Sequence, residues 1–469
     1  MSDFPTIAAL AAAIRAGKVS PVEATRECLA RVERLDGRLR AFVMVDAEGA
    51  LATARRREAA GRDGAATGPL HGVPMAFKDL CFIAGLPTSC GTRTARYFTA
   101  EQDCTAVARL VGAGAVTLGK LNMTELAMGA LGDNPHHGHA RNPWNPERCT
   151  GGSSSGSGVA VAAGLAYGAI GTDTGGSIRL PAAACGITGL KPTYGRVSRA
   201  GGMALSWSND HLGPMARTAQ DCALMLQAMA GADPLDATAS PRPVPDYVAA
   251  LDGRAGALRV GVPENFFFQG IDPEMEAGVR AAVATLASLG ARVREVRLPD
   301  PQMVNDLTSI ISRSESAALH AGLLREKPHE LAAFTRARLE LGLRVPAYDY
   351  LQALRLRARL ARAFSRDVWA EVDVLAAPVI PEPAPPLGAA LEGPLEEIIV
   401  RQGRFSRLTR PFNGLGLPAL SLPCGFSRAG LPLAFQLVGR PFEEATVLRL
   451  GHAYQQATDW HTRRPALGD

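Results

Sequence analysis

The feature that most constrains this chain is a pair of Gly-Gly-Ser triplets, Gly151-Gly152-Ser153 and Gly175-Gly176-Ser177, with a run of small residues from Val159 to Ala166 between them. Doubled glycines let the backbone take positive φ and approach a ligand closely. A serine on such a turn presents its hydroxyl and leaves neighbouring N–H groups free, which is what a nucleophile beside an oxyanion hole requires. A phosphate loop and a plain linker share that composition, so the rest of the chain must discriminate.

With 469 residues, 47% of them hydrophobic and 20% charged, the chain has material for a sizeable core. The net charge of +5 is small for this length and the basic residues are scattered, which predicts no direct nucleic-acid surface and no membrane-binding field. The cysteines, at 28, 81, 90, 104, 149, 185, 222 and 424, form no CxxC, as expected of reduced thiols in a cytoplasmic protein. The apolar run Ile7 to Ile14 lacks a basic flank before it and reads as an amphipathic helix rather than a leader. No apolar stretch is long enough to span a bilayer.

Along the chain, Ser20-Pro21-Val22-Glu23 is a capping box that opens a helix to about Leu35. A further helical segment covers 46–61, and Gly61 to Gly68 is a polar loop. Strands are predicted at Val73–Lys78, Ala115–Gly119, Tyr167–Gly171, Leu258–Val262, Arg292–Leu298 and Val372–Pro378, with a hairpin of Ala419–Pro423 and Leu433–Val438. Helices are predicted at Thr105–Val111, Met123–Gly129, Val159–Ala166, Asp272–Gly290 and Glu443–Thr458, and through most of 300–370. The alternation predicts an α/β fold: one large domain whose mixed, twisted central sheet is covered by helices on both faces. Within it, residues 1–60 form an N-terminal helical arm and 61–230 the catalytic core. Residues 231–370 are a variable, largely helical region, and 371–469 return to the core.

Of the competing readings of the glycine-rich motifs, two fail on their surroundings and a third, the nucleophile elbow with Ser154 as nucleophile, is disfavoured by them. Gly151 to Gly156 has the glycine spacing of a P-loop, but Ser157 stands where the lysine must be. Gly112-Ala113-Gly114 follows a helix and precedes a strand, the reverse of a dinucleotide fingerprint. Gly152-Ser153-Ser154-Ser155-Gly156 fits a nucleophile elbow, yet the turn-forming Asn142-Pro143-Trp144-Asn145-Pro146 stands where a buried strand is needed. A fourth reading adds Lys78, which ends a strand and shares a face with Pro74 and Ala76. If the amine is enclosed, burial disfavours its charge and it becomes a base; if the strand end is open, it is an ordinary solvated lysine.

Three segments make the chain resemble the amidase signature family: His71-Gly72-Val73-Pro74-Met75-Ala76-Phe77-Lys78-Asp79, Gly151 to Ser157, and Gly171 through Ala182. Gly189 to Arg196, Gly416-Leu417-Pro418-Ala419 and Gly430-Leu431-Pro432 extend it. The resemblance implies a Ser–cis-Ser–Lys triad. Ser177 would be the acyl-forming nucleophile, Ser153 the bridging serine on a cis peptide after Gly152, and Lys78 the base. The N–H groups of Thr174, Gly175, Gly176 and Ser177 would surround the oxyanion. Asp173 and Arg179 would support the nucleophile loop, and Met128 and Gly129 would wall the acyl pocket. No metal or cofactor is required by this chemistry. Ser154 and Ser155 read as loop hydrogen-bonders, Cys149 as a buried thiol, and His136-His137-Gly138-His139 as a structural or pocket-rim loop.

Two functions follow from the resemblance. The first is a stand-alone amidase for small or aryl amides, with esters and carbamates (urethanes) passing through the same tetrahedral chemistry. Its partners would be a small-molecule amide and at most a second copy of the chain in a homodimer, with no nucleic acid bound directly and no membrane. The second is the A subunit of a glutamyl-tRNA(Gln)/aspartyl-tRNA(Asn) amidotransferase, releasing ammonia from glutamine, which Lys191 to Arg199 resembles. A non-catalytic binding protein is the alternative from another class, and Ser177→Ala separates it from both.

Overall fold

The computed structural model describes residues 4–62 and 68–468. Positions 63–67 of the polar loop expected between Gly61 and Gly68 lie outside the described residues.

The strands, in chain order, are β1 (Phe42–Val45), β2 (Pro74–Lys78), β3 (Pro87–Thr88), β4 (Phe98–Thr99), β5 (Val116–Leu121), β6 (Gly168–Thr172), β7 (Thr188–Lys191), β8 (Leu212–Ala216), β9 (Arg259–Pro263), β10 (Arg292–Val296), β11 (Val374–Pro378), β12 (Ala419–Phe426) and β13 (Pro432–Gly439). Strands β3 and β4 pair alone. The other eleven form one sheet in the order β1-β5-β2-β6-β8-β7-β12-β13-β11-β9-β10. It is parallel across β5-β2-β6 and β11-β9-β10 and antiparallel elsewhere, so the predicted mixed sheet is observed. Every residue of β2, β6, β7, β8, β11 and β13 is buried. A strand buried on both faces needs cover on both, and the helices supply it.

The helices are α1 (Ile7–Arg15), α2 (Pro21–Leu39), α3 (Ala47–Arg62), α4 (Thr105–Gly112), α5 (Ser155–Ala162), α6 (Arg179–Cys185), α7 (Ala219–Met229), α8 (Pro273–Ser288), α9 (Pro301–Glu326), α10 (Ala333–Leu343), α11 (Ala347–Asp367), α12 (Leu387–Leu391), α13 (Leu395–Phe405), α14 (Arg410–Gly414) and α15 (Glu444–Ala457). The capping box at Ser20 and Glu23 is formed, and β9-α8-β10 is the predicted βαβ unit with its strands parallel. None of the described helices is long and apolar enough to cross a membrane.

Three elements depart from expectation. The small-residue helix spans Ser155–Ala162, not Val159–Ala166: Ser155 to Gly158 already turn helically, and Gly164 at φ +67° ends the run. Instead of a helix over Met123–Gly129 there is one 3₁₀ turn at Glu125–Ala127. Thr124 N–H donates to Ser153 O and Leu126 N–H to Cys90 O, so neighbouring loops take the donors a helix would use. Strand β8, Leu-Gly-Pro-Met-Ala, is not among the predicted strands and is found between β6 and β7.

Helix α5 shows why the small residues are needed. All eight are buried. A Cβ at Gly156 would lie 2.2 Å from Ala41 O and 2.5 Å from Asn122 N. Both neighbours are backbone and cannot rotate away. Gly156→Ala is therefore expected to cost about 1–3 kcal/mol, read as a lower urea midpoint at unchanged m-value. An unchanged midpoint would mean the helix is less closely held than described.

Candidate active site

The strand end at Lys78 is closed. Its side chain is fully buried, and Nζ donates to Ser153 Oγ at 2.7 Å and to Thr172 Oγ1 at 2.7 Å. Burial pushes the amine down to about 7; Cys81, Asp173 and Asp210 nearby oppose the shift without cancelling it. Near neutral pH a large share of Lys78 is uncharged and able to accept a proton.

Ser153 follows a cis peptide from Gly152 and is itself buried. A Cβ on Gly152 would lie 2.7 Å from Gly132 N and 2.9 Å from Gly129 O, so only glycine fits. Ser154 Oγ donates to Thr172 O at 3.2 Å and Ser155 Oγ reaches Asn122 O at 3.5 Å, which makes both loop hydrogen-bonders. Strand β6 thus ends by delivering Thr172 to the lysine and anchoring the first serine loop.

The second serine loop runs from β6 into α6 and is buckled by Asp173. Its carboxylate accepts from Gly176 N–H at 2.7 Å and Ile178 N–H at 3.2 Å, and pairs with Arg179 Nε at 3.0 Å and Nη2 at 3.1 Å. Asn413 Nδ2 adds a bond at 2.7 Å. Burial pushes this carboxyl up, but Arg179, Lys191 and Asn413 outweigh it and hold Asp173 well below the usual range. Arg179 also donates to Gln436 Oε1, Thr409 O and Asn413 Oδ1. Both partners are fully buried, so the pair is a brace inside the fold and not a surface feature.

Gly176 was expected to offer its N–H to the oxyanion; that donor is taken by Asp173. Among the described residues, the N–H groups of Thr174, Gly175 and Ser177 make no hydrogen bond. Nor does Ser177 Oγ, so Lys78–Ser153 contact is formed and Ser153–Ser177 contact is not. Ser177 borders a small cavity together with Met128, Gly129, Thr174 and Gly175. A buried amine bonded to the Ser153 hydroxyl, and a Ser177 hydroxyl flanked by free N–H donors, are the parts that acyl transfer would use.

The histidine loop is distributed over separate partners. His136 Nε2 meets Glu125 Oε1 at 2.6 Å, His137 Nε2 meets Thr92 O at 2.9 Å, and His139 Nδ1 accepts from Asn134 N–H at 2.9 Å. Cys149 is buried and its thiol is pushed up to about 12 by that burial.

Sequence reasoning missed Thr172, although the Gly171-Thr172-Asp173 run contains it. It also missed Thr409, Asn413 and Gln436, which sit more than two hundred residues from the loop they brace and carry no local signal. Arg313, Arg338 and Arg410, which line the Ser177 cavity, lay unremarked in or near Arg-rich helices.

A family model described as Amidase matches residues 23–448. Curated relatives that carry the name of the glutamyl-tRNA(Gln) amidotransferase, as its A subunit, are similar along their whole length. That of a Roseiflexus species is 45% identical over 97% of this chain and 96% of its own. That of Methylococcus capsulatus is 44% identical over 98% of each. Among solved structures, a protein from a vestigial complex bearing on the origins of an s-triazine catabolic enzyme superposes with TM-score 0.91 at 34% identity, covering 97% of this chain and 98% of its own. A peptide amidase from Stenotrophomonas maltophilia gives 0.86 at 32%, covering 98% and 99%. These relatives correct two expectations. The full-length matches carry an amidotransferase name, against a stand-alone hydrolase of small amides, esters or carbamates. That name describes one part of an assembly and includes tRNA, which runs against a partner set of one small molecule and a second copy, with nucleic acid excluded.

Proposed function

We propose, from the premise that this chain belongs to the amidase family, that it is the A subunit of a glutamyl-tRNA(Gln) amidotransferase, releasing ammonia from glutamine. The observation that carries this reading is identity of 42–45% over nearly the entire length to relatives of that name, against 29–35% to the similar solved structures.

In this mechanism neutral Lys78 takes the proton of Ser153, and Ser153 takes that of Ser177. Ser177 Oγ attacks the side-chain carbonyl of glutamine. The oxyanion is held by the N–H groups of Thr174, Gly175 and Ser177, each such donor being worth roughly 3–4 kcal/mol. The proton returns through Ser153 to the departing ammonia, and water cleaves the glutamyl ester on Ser177 to give glutamate. Gly176 acts indirectly: its bond to Asp173 fixes the loop, and Arg179 fixes Asp173. This relay requires the open Ser153–Ser177 contact to close when substrate is bound, as catalytic contacts often do.

The ammonia is then used on charged tRNA, in the cytoplasm, by companion subunits. The test is purification of the tagged chain from its native host. Companion subunits are expected to accompany it, with glutamine-dependent conversion of Glu-tRNA(Gln) to Gln-tRNA(Gln) by the assembly. A chain that purifies alone, with no such conversion in any reconstitution, overturns the proposal.

A further inference from the structure

The net charge of the chain is small, yet one helix concentrates positive charge. From Tyr350 to Arg366, α11 carries five arginines and no acid. Arg355, Arg359, Arg362 and Arg366 recur at spacings of four, three and four residues, and all four are exposed. That period places them in one row along the helix. At a rise of about 1.5 Å per residue the row is about 16 Å long. Gln352 and Tyr348 continue it towards the start of the helix, and Tyr348 is 67% exposed. We propose that this row is a docking surface for the phosphate backbone of tRNA, with Tyr348 placed to stack on an unpaired base. The inference rests on the amidotransferase reading, because that reaction brings tRNA to the assembly, and it gives this chain a direct part in holding it.

The opposite face of α11 is already occupied. Ala353 and Phe364 are buried, and Tyr350, Leu354 and Leu360 pack against a cluster that includes Leu307 and Ile311 of α9. Tyr350 Oη donates to Glu315 Oε1 at 3.0 Å, and Arg357 Nη1 donates to Ser208 Oγ at 3.2 Å. The helix is held from behind, so its apolar face is not free to enter a bilayer. Leu351 and Leu356 are exposed but stand on either side of the row, not in it. The row itself lacks the apolar anchors that a docked helix of a protein partner would need.

The fold has not neutralised the row. Among the described residues Arg355, Arg359 and Arg362 are paired with no carboxylate, and Arg355 reaches only Gln352 Oε1, at 3.3 Å. Arg366 pairs with its neighbour Asp367. Guanidiniums at a regular interval of about 5–6 Å suit a chain of phosphates, which accept paired N–H bonds and release counterions on contact. An open tyrosine ring at the end of such a row adds a stacking platform that any base can use.

The experiment uses the full chain with the partners that co-purify with it. Binding of a fluorescent tRNA(Gln) transcript is followed by anisotropy from about 50 to about 200 mM KCl. Arg355→Gln, Arg359→Gln and Arg362→Gln combined are expected to weaken binding at least about tenfold at low salt. They should also flatten the slope of log K against log salt by about 2–3, roughly one phosphate contact per arginine. Tyr348→Ala should weaken binding at least about fivefold and leave that slope unchanged. In transamidation the triple variant should raise KM for Glu-tRNA(Gln) at unchanged kcat, since none of these side chains lines the Ser177 cavity. An unchanged melting midpoint reports that each variant is folded. Wild-type affinity and salt slope in the triple variant overturn the inference, and transamidation by the wild type then leaves the amidotransferase reading standing. Loss of a companion subunit from the triple variant also overturns it and makes the row a protein interface. A Tyr348→Ala variant that binds as wild type overturns the stacking role. A wild-type assembly that converts no Glu-tRNA(Gln) overturns the amidotransferase reading instead. Arginine-dependent tRNA binding by that assembly would still support the row as an RNA surface, and its absence would remove both.

Discussion

Ser177→Ala is expected to lower glutamine hydrolysis by on the order of 10⁶-fold while leaving stability within about 0.5 kcal/mol of wild type. Loss of a nucleophile cannot be compensated by the remaining members of a unit that acts together. Stability should be spared because Ser177 Oγ has no partner to lose, whereas the loop is held through Asp173, Arg179 and Asn413. In the assembled enzyme the same variant should still amidate Glu-tRNA(Gln) when ammonium is supplied, because the substitution removes only the source of ammonia. Glutamine hydrolysis that survives undiminished would leave Ser177 a binding residue, and with it the whole acyl-transfer reading would fall.

The glycine-serine loops were legible in sequence because their constraint is local. Glycine meets positive φ and close backbone approach at least cost, and Gly152, hemmed in by backbone, and Gly176, at φ +134°, mark such positions in the sequence itself. The alternating core strands were legible for the same reason. The brace on the nucleophile loop was not: Arg179 reaches Gln436 and Asn413 only because β13 and α14 return to the sheet beside α6. Lys78 was legible as a residue and ambiguous as a base, since enclosure depends on Thr172 and Ser153 arriving from two other segments. The arginines at the Ser177 cavity were least visible: Arg313 lies on α9, Arg338 on α10 and Arg410 opens α14, and only the fold brings the three to one cavity.

Lys78 should impress its own titration on both activity and stability. Below a pH of about 7 the amine is mostly protonated and cannot act as base, so kcat/KM should rise about tenfold per pH unit and level off above it. The neighbouring charges that could distort the profile are Asp173, held ionised by Arg179, Asp210 and the Cys81 thiol. The stability sign follows from proton counts. Folded Lys78 titrates near 7 and an unfolded lysine near 10.5, so between those values the unfolded chain holds one more proton and stability rises with pH. The penalty of enclosing the amine, on the order of a few kcal/mol, is full below pH 7. Lys78→Met should abolish the alkaline rise and lower turnover by about 10²–10⁴-fold. At pH 7 it should also melt no lower than wild type, because removing the penalty outweighs the roughly 1 kcal/mol lost at each of the Ser153 and Thr172 hydroxyls. A pH profile flat from 6 to 8, or a Lys78→Met variant that is both active and less stable, would show that this amine is a structural cation and that another group moves the proton.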